Sequence, residues 1–96
     1  MSIQIQYNAG VYEINGLLNS QNCVYLKNHF EILMKNSRGV VLSLDKIVDI
    51  DCYSVNSIVS MCKKAFVDNK SFYIIGSKNK KVFEQFSALQ LNDFLL

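Results

Sequence analysis

A cluster of three aspartates, three cysteines and one histidine are the residues from which chemistry would have to start. Asp49-Ile50-Asp51 has the D-x-D spacing with which some phosphatases set an aspartyl nucleophile beside Mg²⁺, and Asp45 adds a carboxylate close by. That chemistry also needs acidic and basic groups from the next strand end, where this sequence offers only Gly76-Ser77-Lys78. His29 falls in mid-helix on the flank of an apolar face, with no Ser or Cys nucleophile placed to pair with it, and reads as structural. Cys23, Cys52 and Cys62 are odd in number and form no C-x-x-C pair, so the reading is reduced, mostly buried thiols and no metal site. Four isolated glycines make no phosphate-cradling loop. The expectation is a protein without catalysis and without a cofactor.

The elements that would position these residues follow from periodicity. Ile3, Ile5 and Tyr7 alternate with Gln4 and Gln6, as in an edge strand with one face on a core. Asn8-Ala9-Gly10 supplies a tight turn, and Val11 to Ile14 return as a second strand. Asn19 or Ser20 caps a first helix in which Cys23, Leu26, Phe30, Leu33 and Met34 recur at helical spacing. Val40 to Leu44 is a nearly continuous β-prone run, the pattern of a central parallel strand covered on both faces. A connection, Asp45 to Ile50, leads to a second helix with Val55, Ile58, Val59, Cys62, Ala65 and Phe66 on one face. Phe72 to Ile75 reads as another buried strand, and Val82, Phe83, Phe86 and Leu89 as the stripe of a third helix. Leu91 to Leu96 adds either a short strand or a final turn. The predicted order is β-β-α-β-α-β-α: an α/β domain with a mixed, mostly parallel sheet, opened by an antiparallel hairpin and carrying helices on its buried face.

Ninety-six residues, half of them hydrophobic, suffice for one core and leave no room for a second, so residues 1–96 are expected to form a single domain. Ten basic and eight acidic residues are spread without a block of one sign, and Arg38 is the sole arginine. This pattern argues against nucleic-acid binding, which would need clustered cations to neutralise phosphates. The cluster Lys78, Lys80 and Lys81 reads as a solvated loop and helix start. No stretch is long and apolar enough to cross a bilayer and no signal-like segment opens the chain, so the expected location is the cytoplasm.

The segment Val40 to Asp51 resembles the strand and loop that precede the Asp-Ser-Ser-Gly signature of STAS domains, the anti-sigma-factor antagonist family. Asp51 matches the signature Asp, and the resemblance runs on through the second helix, the strand Phe72 to Ile75 and the close Val82-Phe83-Glu84-Gln85-Phe86 and Leu91-Asn92-Asp93-Phe94. The opening hairpin and the Gly16-Leu17-Leu18-Asn19 entry to the first helix also fit. In members switched by phosphorylation, the second signature serine is the acceptor. Here Cys52, Tyr53 and Ser54 stand where the family has Ser, Ser and Gly. The acceptor position is therefore held by Tyr53, with Ser54 beside it, and the two are the candidate phosphoacceptors.

Asp51 lies just before the second helix and should cap it, its carboxylate favoured by the free N–H groups and the helix dipole. Loops at the carboxyl ends of parallel strands meet partners, which places Asp49, Asp51, Cys52, Tyr53, Ser54, Asn56, Ser57 and Lys78 on one binding surface with Tyr53 as its aromatic anchor. The resemblance implies a stoichiometric partner of a kinase-like anti-sigma factor, lacking the usual serine switch. It also allows the STAS accessory subunit of a phospholipid-transport ABC complex, which binds the ATPase, or a scaffold subunit of a stress-sensing assembly formed by homo-oligomerisation.

Overall fold

The structure, a computed structural model, describes residues 3–96. Strand β1 (Gln4–Asn8) follows the Ile/Gln alternation and ends in the two-residue turn Ala9-Gly10. Both turn residues have positive φ, 51° and 88°, as a hairpin matching the strand twist requires. The chain returns antiparallel as β2 (Val11–Leu18), in a register running from Gln4 opposite Asn15 to Asn8 opposite Val11. β2 is longer than the expected Val11–Ile14 segment: at Gly16, φ 110°, the register shifts and the strand continues through Leu17 and Leu18 rather than leading into the helix.

Helix α1 (Cys23–Lys35) buries Cys23, Leu26 and Phe30. Its cap residue is Asn22, not Asn19 or Ser20. Asn19 shapes the preceding turn instead: its Oδ1 accepts the N–H groups of Gln21 and Asn22 at 2.9 and 3.0 Å, and Asn22 Oδ1 accepts the N–H of Asn19 at 2.9 Å. Strand β3 (Gly39–Ser43) then lies parallel to the first half of β2.

The segment between Asp45 and Ile50, expected as a connection, contains a further strand, β4 (Ile47–Ile50), parallel to the second half of β2. Ile47 and Ile50 point inward while Val48 and Asp49 face out, a pattern too short to show a period of two. β3 and β4 are successive partners of one strand, divided by a turn in which the Ile47 N–H donates to the Leu44 carbonyl at 3.1 Å. Helix α2 (Cys52–Val67) follows, then β5 (Ser71–Ile75), parallel to β3, and helix α3 (Lys80–Ala88). The sheet order is β1-β2-β3-β5, with β4 joined to β2.

The core gathers Ile14, Leu42, Phe72 and Ile74 from the sheet with Leu26, Phe30, Ile58, Val82 and Phe86 from the helices. Expectations about burial change in three elements. In α2, Met61 is buried, whereas Phe66 and Val67, one and two residues beyond buried Ala65, are 82% and 78% exposed. In β5, Tyr73 alternates outward and is 52% exposed, so this strand is covered on one face only. Phe83 of α3 is likewise exposed. The tail forms a short 3₁₀ turn at Asn92–Phe94, after which Leu95 bridges Ile74 in parallel and Leu96 donates its N–H to the Ile74 carbonyl at 2.8 Å. It thus supplies both of the structures foreseen for it, a turn and a short strand contact. Of the thiols, Cys23 is buried, Cys62 half-buried and Cys52 exposed, so mostly buried does not describe them.

Candidate functional site

β4 runs straight into α2, and Asp51 is the hinge between them. In extended conformation, φ −97° and ψ 169°, it turns both carboxylate oxygens onto backbone donors. Oδ1 accepts the Ser54 N–H at 2.8 Å, the N-cap bond expected from the sequence, and Oδ2 accepts the N–H of Ser20 at 3.1 Å. The Asp51 N–H in turn donates to the Leu18 carbonyl at 3.2 Å. One residue therefore closes the start of α2 and ties it to the β2–α1 turn. With each oxygen accepting a backbone N–H, the Asp51 side chain positions the start of α2 against the β2–α1 turn.

Two other aspartates precede this junction in sequence. Asp49 Oδ1 accepts the N–H of its neighbour Ile50 at 2.9 Å, and Asp45 is exposed in the turn. Among the described residues no three His, Cys, Asp or Glu side chains converge as a metal site would require. His29 is exposed and stands edge-on to Phe30 and Tyr12, ring centroids 5.2 and 6.3 Å away, which is a packing role.

In the first turn of α2, Tyr53 is 59% exposed and Cys52 is exposed before it, while Ser54 is fully buried. Ser54 cannot contribute to the outer surface in this conformation, nor present its hydroxyl to a modifying enzyme, and its Oγ has no hydrogen-bond partner. The cause lies in the helix period: Ser54, Ile58, Met61 and Ala65 form one inward row, and a small polar residue in that row goes where the row goes. Read by spacing rather than by polarity, positions 54, 58, 61 and 65 would have revealed it. Asn56 is exposed, with its Nδ2 on the Cys52 carbonyl at 3.0 Å, and Ser57 is half-buried. Val48 and Asp49, on the outward side of β4, extend the exposed surface; Val48 is 64% exposed and was not foreseen as part of it.

The loop carrying Lys78 adjoins this region through Asn79. The Asn79 side chain caps α3, its Oδ1 accepting the Val82 N–H at 3.3 Å. Its Nδ2 faces three carbonyls in the turn between β3 and β4: Leu44 at 3.2 Å, Asp45 at 3.1 Å and Ile47 at 2.8 Å. The two loops are thereby neighbours, as expected, with Lys78 exposed on one and the β4–α2 junction following the other. The capping half of this role was readable, since an Asn stands three residues before Val82 at a helix start; the clamp on a turn far away in sequence carries no local signal.

No protein-family model matches the sequence, and no curated protein does. Among solved structures, the chain is similar to that described as "Structure of the Anti-Sigma Factor Antagonist SpoIIAA in its Unphosphorylated Form", with a TM-score of 0.75 at 9% identity, over 98% of this chain and 85% of that one. The antiparallel β1–β2 hairpin, the parallel strands and the three helices agree with that architecture, so the chain has the fold of SpoIIAA, the STAS fold.

Proposed function

We propose that this protein is a non-catalytic regulatory module that works by binding another protein through the start of α2, as an anti-sigma-factor antagonist does. The observation that carries the reading is the pairing of an exposed aromatic ring, Tyr53, with a backbone held on two sides by Asp51. A rigidly seated aromatic within a polar rim is the usual composition of a binding hot spot, and Asp49, Cys52, Asn56, Ser57 and Lys78 supply the rim. The partner is a kinase-like anti-sigma factor, bound stoichiometrically and without the usual serine switch. Supporting that last point, the position resembling the acceptor is a tyrosine and the adjacent serine is sealed in the core.

The same observation favours one second reading. A STAS subunit that tethers an ABC ATPase has no need of an exposed hydroxyl in this turn, and neither does a constitutive module of any kind. Affinity capture of the tagged protein from its own cells, with and without Tyr53→Ala, tests both. A kinase-like anti-sigma factor recovered with the wild type and reduced at least about tenfold with the variant supports the first reading. An ABC ATPase behaving in the same way supports the second. A partner retained equally by the Tyr53→Ala variant removes α2 from the interface and refutes both.

A further inference from the structure

The sheet's two outer edges are treated differently by the chain. On β5, the tail lays Leu95 beside Ile74, and Leu96 bonds to Ile74, Gly76 and Ser77, so part of that edge is covered from within. On β1, among the described residues, nothing pairs with the outer side. Edge strands are ordinarily guarded by lysine, proline or a bulge that discourages another strand from adding. β1, Gln4-Ile5-Gln6-Tyr7-Asn8, has no charge and no proline, and its pairing with β2 runs without a register shift.

The side chains of β1 also suit one particular partner. In the register with β2, Ile5 lies opposite buried Ile14 and Tyr7 opposite Tyr12, which puts both on the helix-covered face. Gln4, Gln6 and Asn8, opposite Asn15, Glu13 and Val11, share the other face, so every residue there is an amide. The turn Asn8 to Val11 closes by pairing those two residues, so by the alternation of an antiparallel ladder the N–H and C=O groups of Ile5 and Tyr7 point outward, free to bond.

We propose that β1 is a self-recognition edge, at which a second copy of this chain pairs antiparallel with the first to join the two sheets. With the two-fold axis at Gln6, Gln6 meets Gln6, Gln4 meets Asn8 and Ile5 meets Tyr7. Amides then ladder on one face and apolar groups pack on the other. No charged residue of β1 lies in the seam, and Glu13, opposite Gln6 on β2, is paired with Lys46 at 3.5 Å. Tyr7, 65% exposed in the single chain and packed at a tilt against Tyr12 with ring centroids 4.7 Å apart, gains a neighbour in Ile5 of the second copy.

The test is sedimentation velocity of the full chain from about 10 µM to about 1 mM, a range that registers edge contacts of micromolar to millimolar affinity. Gln6→Lys and Gln6→Glu each place two like charges at the axis; because residue 6 also faces Glu13 within the hairpin, circular dichroism first establishes that both variants keep the wild-type fold. The wild type is expected to shift toward the mass of two chains with concentration, and each variant to weaken that shift at least about tenfold. An equimolar mixture of the two variants should recover the wild-type behaviour, since opposite charges then meet. A wild type that keeps the mass of one chain throughout overturns the proposal, as does a folded Gln6→Lys that associates like the wild type or a mixture that fails to recover.

Discussion

Asn79→Ala removes one side chain and four contacts at once. The lost N-cap of α3 is worth about 1 kcal/mol. The Nδ2 group has two protons for its three carbonyl neighbours, so it makes two net bonds, each worth about 1 kcal/mol. The sum is about 3 kcal/mol, a large fraction of the roughly 5–15 kcal/mol that holds a domain folded. At about 4–8 °C per kcal/mol for a chain of this size, the melting temperature should fall by roughly 12–24 °C. Urea denaturation measures the loss directly, with an unchanged m-value showing that stability and not the unfolded state has moved. Asn79→Ser separates the two roles: it keeps an oxygen for the Val82 N–H and gives up the donors, so its loss should be about 2 kcal/mol. An Asn79→Ala variant destabilised by less than about 1 kcal/mol would refute the clamp, and a serine variant no better than alanine would refute the cap.

The remaining consequences concern α2 and the thiols. Ser54→Ala removes a buried hydroxyl that has no partner and puts the best helix former in its place, so the variant should be more stable by about 1 kcal/mol, read as a higher urea midpoint. Burial pushes the Cys62 thiol up, and its Sγ donates to the Phe72 carbonyl at 3.2 Å, whereas Cys52 is exposed. A thiol-specific reagent near neutral pH should therefore modify Cys52 first, with Cys62 reacting slowly and only at more alkaline pH, as intact mass of Cys52→Ser and Cys62→Ser variants would report. The sign for stability follows: the folded state holds the Cys62 proton more tightly than the unfolded state, so this thiol lowers stability only as pH rises above the unfolded value of about 8.5.

The elements most legible in the sequence were those whose signal is local. The hairpin could be read from Asn8-Ala9-Gly10 and the Ile/Gln alternation, and α2 from an apolar stripe and the Asp51 cap, because turn chemistry and helix period depend on neighbours in the chain. What escaped was set by tertiary contact. Ile47–Ile50 becomes a strand only because the far end of β2, beyond Gly16, is there to pair with it. Phe66 lies on the helical face of Val59, which is 3% exposed, yet is itself exposed, a difference that the helix period does not carry. At the candidate site, the exposure of Tyr53 and the cap at Asp51 agree with the sequence reading, while Ser54, placed on the surface by its position in the signature, is turned inward by the helix period that it shares with Ile58, Met61 and Ala65. The clamp by Asn79 joins segments more than thirty residues apart and lies beyond any reading of local pattern.

The division of β2 between β3 and β4 has a thermodynamic consequence for recognition. Because the final strand before α2 is itself paired in the sheet, the backbone from Ile47 to the first helical turn is immobilised before any partner arrives. Ordering a free residue costs on the order of 1–2 kcal/mol, and a loop of this length would have had to meet that cost on binding. Here folding has already met it. Tyr53 is thus offered to a partner from a preorganised backbone, and amide hydrogen exchange at Ile47, Asp51 and Ser54, whose N–H groups are bonded to Leu44, Leu18 and the Asp51 carboxylate, should be slow in the free protein and little changed by complex formation.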